Sequence, residues 1–121
     1  MSEILKELVD RKEYQVACYL ALACASGSRK AELLQMRVDF FTPESEVFDG
    51  YMYQTPEVRA KGRGKRGKMI RKYVIKDIFK PFLDLWIGER KELGIGIPEL
   101  FVTKKEGRYV PATISTANGF A

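Results

Sequence analysis

Glu13 to Val38 reads EYQVACYLALACASGSRKAELLQMRV, and the change of character within this stretch decides the fold. A helix is expected from roughly Glu13 to Cys24, and its run Val16 to Ala25 (VACYLALACA) is apolar on every side, the signature of a helix buried at a domain centre. Ser26-Gly27-Ser28 stops it, with Gly27 supplying the backbone freedom a helix end needs. Ser28 is then placed to cap a third, short helix running from Arg29 to Gln35. Toward the N-terminus, Ile4, Leu5, Leu8 and Val9 mark one face of a first helix that Ser2 caps. The charged run Asp10-Arg11-Lys12-Glu13 separates the two.

Beyond Val38 the pattern shifts. Val38 to Pro43 reads as extended and Glu44-Ser45 as a turn. Val47 to Gln54 and Pro56 to Ala60 are rich in Tyr, Phe and Val, which favour strands. Gly62-Arg63-Gly64-Lys65-Arg66-Gly67 is a glycine turn, and Met69 to Ile75 reads as the returning strand of a β-hairpin. Ile78, Phe79, Phe82, Leu83, Leu85, Trp86, Ile87 and Leu93 then follow at helical spacing, with Pro81 near the start of that helix. Gly94 to Pro98 ends it, Leu100 to Thr103 is a short strand, and Lys104 to Pro111 is a polar connector. Thr113 to Asn118 begins a capped helix. The expected fold class is α+β, mainly helical, with a small antiparallel three-stranded sheet built on the hairpin.

A chain of 121 residues and 13.8 kDa is one domain's worth. With 45% hydrophobic and 31% charged residues it reads as an ordinary globular domain. No apolar run is long enough to cross a bilayer, and Met1-Ser2-Glu3 opens an amphipathic stretch rather than a secretory signal. Cys18 and Cys24 offer no disulfide framework, so a reducing cytoplasm is the expected setting. Histidine is absent altogether. That removes Ser-His-Asp and Cys-His triads and any histidine-bound metal, and two cysteines alone make a poor zinc site, so no metal site is expected.

Charge is concentrated. The chain has 21 basic and 16 acidic residues, a net charge of +5. Arg59, Lys61, Arg63, Lys65, Arg66, Lys68, Arg71 and Lys72 fall within one window that holds no acid. Outside it 13 basic residues face 16 acidic ones, a balance of −3. A single basic element on an otherwise slightly acidic protein suggests local contact with a polyanion. The competing reading is a solvated loop whose charge keeps it in water. Gly62 to Lys68 also spells G-x-x-x-x-G-K, the outline of a phosphate-binding loop. Met69 stands where a magnesium-binding hydroxyl is needed, and a strand rather than a helix follows, so that reading fails.

Arg29 carries more information. At the first turn of a short helix its guanidinium is aimed outward and helped by the helix dipole in binding a phosphate oxygen. Glu32, three residues on, is spaced to reach back and brace it. A surface ion pair of little consequence is the bland alternative.

The run from Ala23 to Val38 resembles the first catalytic box of the tyrosine recombinases, the phage-integrase family. Gly27, Arg29, Glu32, Leu33 and Met36 fill that box, with Val38 where an aromatic is usual. Asp39 falls one residue after Val38, where the family often places its acid two residues on. Lys61-Gly62 on a basic hairpin, the helix near residues 79 to 93, and Leu100-Phe101-Val102-Thr103 follow in the family's order. The resemblance extends over essentially the whole chain.

The resemblance implies a truncated recombinase catalytic core. Such an enzyme cuts DNA by attack of a tyrosine oxygen on a backbone phosphate, leaving a 3′-phosphotyrosine without metal or cofactor. Arg29 would stabilise charge on the phosphate and Glu32 would support it. Lys61 would protonate the leaving 5′-oxygen, with Lys65 and Lys68 as rival donors. Arg59, Arg63, Lys65, Arg66, Lys68, Arg71 and Lys72 would position double-stranded DNA without reading its sequence. The family's second arginine box and tyrosine nucleophile lie beyond the helix begun near residue 115. The chain is therefore expected to be an N-terminal half, inactive alone, from a bacterial or mobile-element source. Its partners would be DNA, the C-terminal half, and further copies held through an exposed apolar face of the Glu13–Cys24 helix. The alternative is a non-catalytic nucleic-acid-binding module that uses the basic hairpin as its arm.

Overall fold

The computed structural model describes residues 2–60 and 67–120. Among the described residues five helices (α1 to α5) and five strands (β1 to β5) follow one another. Their order is α1 Glu3–Asp10, α2 Tyr14–Ser26, α3 Lys30–Leu33, β1 Glu46–Val47, β2 Met52–Ala60, β3 Lys68–Ile75, α4 Lys76–Leu93, β4 Val102–Lys105, β5 Arg108–Pro111 and α5 Ile114–Asn118. β1, β2 and β3 form an antiparallel sheet in that order, and β4 and β5 a separate two-stranded ribbon. The fold is α+β, as the periodicities require.

α2 is the central helix. Ala17, Cys18, Tyr19, Ala21, Leu22 and Ala25 are all buried, and α4 packs against it through Phe79, Phe82, Leu83 and Trp86. Of its residues only Cys24 is exposed, so the open apolar face expected on this helix is closed by α1, α4 and β3. The large exposed apolar side chains lie elsewhere, among them Phe48, Tyr73, Ile78 and Leu85. Gly27 ends α2 in the left-handed conformation at φ 62°, donating its N–H to the Ala23 carbonyl. Ser2 caps α1 by accepting from the Leu5 N–H at 3.2 Å. Leu5 is buried and Leu8 and Val9 half-buried, but Ile4 points outward, so the apolar face of α1 is narrower than its sequence suggested.

β2 runs unbroken through Pro56 because a bulge between Gln54 and Glu57 absorbs the residue that has no N–H. The buried Thr55 hydroxyl there accepts the Lys72 N–H at 2.9 Å, replacing the lost ladder bond. Val38–Phe40 winds into a 3-10 turn where an extended piece was expected, while a second 3-10 turn at Pro43–Ser45 falls where Glu44-Ser45 was read as a turn. That curvature lets Phe41 turn inward, edge-on to Tyr53 at 5.5 Å and Phe79 at 4.9 Å.

The expected polar connector after Val102 is a hairpin instead. Glu106 and Gly107, both left-handed at φ 52° and 77°, make the tight turn that pairs Lys105 with Arg108. Alternation is weak in these charged strands, which hid them. α4 begins at Lys76, so Pro81 lies well inside the helix rather than at its start. Trp86 donates to the Leu100 carbonyl at 2.8 Å. The buried Arg90 donates to the carbonyls of Ile97, Glu99 and Leu100 at 2.5, 2.8 and 3.2 Å. These bonds fasten the 94–101 loop to α4, and burial lowers the Arg90 pKa. No helix among the described residues is long and apolar enough to cross a membrane.

Candidate functional site

α3 is one turn long, and its position rests on contacts at both ends. Its N-cap is Arg29 rather than Ser28. The Ser28 hydroxyl lies 2.7 Å from the Ser26 hydroxyl, which donates to it, so Ser28 braces the end of α2 instead. Lys30 donates to the Asn118 side chain and ties α3 to α5. After the turn, the Leu100 N–H donates to the Met36 carbonyl at 3.0 Å and the Val38 N–H to the Pro98 carbonyl at 2.9 Å. Leu33 and Met36 are fully buried beneath.

Glu32 does not brace the Arg29 guanidinium as its spacing suggested. Its carboxylate accepts the Arg29 backbone N–H at 2.9 Å and meets the Lys72 ammonium at 3.2 Å. The physical reason is the N-cap geometry. A carboxylate at the third helical position reaches the cap's orphan N–H, and β3 brings the Lys72 ammonium to the same oxygen, Oε1. The pair is largely enclosed, with side-chain exposures of 8% for Glu32 and 14% for Lys72. A carboxylate there without a cation would be costly to bury. Arg29 itself is exposed, and among the described residues no carboxylate pairs with its guanidinium.

Lys72 is accordingly not an open phosphate contact. Strand alternation explains the placement. Tyr53, Val58 and Val74 face the core, and Lys72, opposite the bulge, shares that inner face. Arg59, Met69, Arg71 and Tyr73 share the outer face, where all four are exposed. Lys68 begins β3, also exposed. The structure thus brings Arg59 and Arg71 onto one open surface and draws Lys72 away from it. Lys61, Arg63, Lys65 and Arg66 lie outside the described residues. β3 following directly on Lys68 leaves no helix N-terminus after the glycine turn, consistent with rejecting a phosphate-binding loop.

One residue of the site escaped sequence reading. The Gln35 side chain accepts the Arg59 N–H at 2.8 Å and donates to the Arg59 carbonyl at 2.7 Å. It occupies the open edge of β2 beyond the short β1, as a neighbouring strand would. Nothing in the local pattern marks a glutamine for this task, because its partner lies 24 residues away.

The site is therefore a surface rather than an enclosed pocket. A hollow of about 440 Å³ lies between the start of α2, α4 and the β4–β5 ribbon, and neither Arg29 nor Glu32 lines it. Among the described residues no group of three or more acidic or cysteine side chains is clustered to hold a metal. What the surface offers is exposed positive charge at Arg59 and Arg71, with the exposed Glu57 opposite Arg71 in the strand register, a net positive face suited to an extended polyanion. A scan of protein-family models, a search of curated proteins and a search of solved structures each find no match to the chain.

Proposed function

We propose that this chain is the DNA-gripping part of a site-specific recombinase of the tyrosine type. In this reading it supplies Arg29 and the hairpin lysine to a centre completed by a tyrosine and a second arginine box from a companion segment. The observation that supports it is the grip of α3 on the hairpin. A single turn holds Arg29 outward at one end while Glu32 takes Lys72 on β3 and Gln35 takes Arg59 on β2. The residue that carries an exposed guanidinium is thereby joined through α3 to both strands at the base of a basic hairpin.

The chemistry follows from that pairing. A tyrosine oxygen attacks a backbone phosphorus, the bond to the 5′-oxygen breaks, and a 3′-phosphotyrosine forms. The Arg29 guanidinium neutralises charge developing on a non-bridging oxygen. Lys61 gives its proton to the departing 5′-oxygen, with Lys65 and Lys68 as alternative donors. The phosphodiester's energy is retained in the protein–DNA bond, so the reaction needs no cofactor. Arg59 and Arg71 hold phosphates and set the register. The setting is the cytoplasm of a bacterium or of a mobile element's host, and further copies of the chain assemble with it on DNA.

The test is to incubate the product of the complete reading frame with supercoiled DNA carrying the sequences that flank its gene. A detergent-resistant protein–DNA adduct is expected. Arg29→Ala should lower its formation by about 10²- to 10³-fold, the usual loss when an oxyanion donor is removed. DNA retention without any adduct in the parent protein would replace this reading with that of a non-catalytic binding module. No retention even at low salt would leave only a domain with a solvated basic loop.

A further inference from the structure

The Gln35 clamp has a geometry that packing alone does not require. A side-chain amide satisfies both the N–H and the carbonyl of one strand residue only when donor and acceptor face it together, as across a β-ladder. At Arg59 both distances are short, 2.8 and 2.7 Å, and the same amide nitrogen also lies 3.0 Å from the Ala31 carbonyl inside α3. β1 covers β2 only at Tyr53 and Met52, so from Val58 onward this edge has no strand beside it. Without Gln35 the Arg59 peptide would be open to water or to another chain. Arg59 stands two residues before Lys61, at the last described part of the ascending arm.

We propose that Gln35 is a positioning residue: by holding the Arg59 peptide it fixes where β2 leaves the body of the fold relative to Arg29 at the start of α3. This rests on the recombinase reading for its consequence in catalysis, but not for the clamp itself. Gln35 touches neither DNA nor the reacting atoms and acts only through the Arg59 backbone. The Glu32–Lys72 pair holds the other strand, so the two contacts together tie both β2 and β3 to the segment around α3. Of the two, the Gln35 contact is the separable one. It lies at the surface and leaves no charge buried when removed, so its loss moves the hairpin without unfolding the core.

The experiment compares the parent chain with Gln35→Ala and Gln35→Glu. The glutamate keeps an acceptor for the Arg59 N–H but sets a carboxylate against the Arg59 carbonyl. Amide hydrogen exchange at Arg59 should speed up about tenfold in Gln35→Ala, the scale of one net hydrogen bond, with exchange in α2 and α4 unchanged. Nitroxides on the exposed Cys24 and on Lys68→Cys should give one narrow distance in the parent and a broadened or shifted one in both variants. In the complete reading-frame product, single-turnover cleavage should fall about tenfold while the DNA dissociation constant stays within twofold.

Unchanged Arg59 exchange and an unchanged label distance would overturn the clamp. A displaced hairpin with cleavage at the parent rate would overturn the positioning role. A parent protein that forms no adduct would sink the recombinase reading instead, and the clamp would then stand or fall on exchange and distance alone.

Discussion

Cys18 and Cys24 lie six residues apart on α2, and burial gives them different chemistry. Cys18 is fully enclosed and its thiol pKa is pushed far up by desolvation, against a smaller lowering by the Arg90 charge. Cys24 is exposed. An aromatic-disulfide reagent should therefore label one thiol in the native protein and two in denaturant, because only a thiolate with access to solvent reacts. Two fast-reacting thiols in the native state would contradict the packing around α2. The same burial has a sign in pH. The unfolded chain releases the thiol proton near pH 8.5, whereas folded Cys18 holds it to higher pH. Stability is complete below about pH 8 and declines as pH rises above that range. Tyr19 and Tyr53, also raised by desolvation, extend the decline in the same direction. Urea midpoints measured from pH 7 to pH 10 should fall, and Cys18→Ala should remove the earliest part of the fall. A flat profile in the parent chain would contradict this assignment.

Within elements, two strong local signals compete in α4. Its apolar spacing runs continuously through Pro81, and packing of Phe79, Phe82, Leu83 and Trp86 holds the helix together across a residue that cannot donate to the Asp77 carbonyl. Pro81 is exposed, so its ring contributes little to the core. Pro81→Ala should restore one helical bond and stabilise the fold by about 1–2 kcal/mol after allowing for the looser unfolded chain. Thermal denaturation reads it directly, and a lower midpoint would mean that Pro81 stabilises the native helix. β2 meets the same problem differently, admitting Pro56 through a bulge and covering the orphaned Lys72 N–H with Thr55. The helix tolerates its proline through tertiary packing, and the strand does so through one hydroxyl.

Across the whole molecule, the placement of charge separates residues that look equivalent in sequence. Arg71 and Lys72 are neighbours in the basic window, yet Arg71 faces outward and Lys72 is matched by Glu32. On the proposed DNA-gripping role, duplex binding followed by anisotropy between 50 and 300 mM KCl should therefore respond to them unequally. Arg71→Ala should reduce the slope of log affinity against log salt by roughly one contact's worth, about 0.9. Lys72→Met should leave the slope unchanged while weakening the fold, since it strands the Glu32 carboxylate. Equal loss of slope from both variants would mean that Lys72 leaves Glu32 for phosphate when DNA binds. Such an outcome would make the pair a switch rather than a strut.

Periodicity and punctuation are local quantities, so consecutive residues by themselves settled the α+β class. They set the buried character of α2, its stop at Gly27, the central hairpin and its basic charge, and the long fourth helix. They also marked Arg29 and Glu32 as belonging to one turn. Partnership is not local. That Glu32 serves a backbone N–H and Lys72, that Gln35 closes the edge beside Arg59, and that Lys104 to Pro111 folds back as a ribbon were decided only in the tertiary structure. A buried carboxylate takes whichever donors the packed chain presents, and a strand edge is open or covered according to where its neighbours end. Both depend on contacts between segments tens of residues apart, for which no spacing rule along the chain exists.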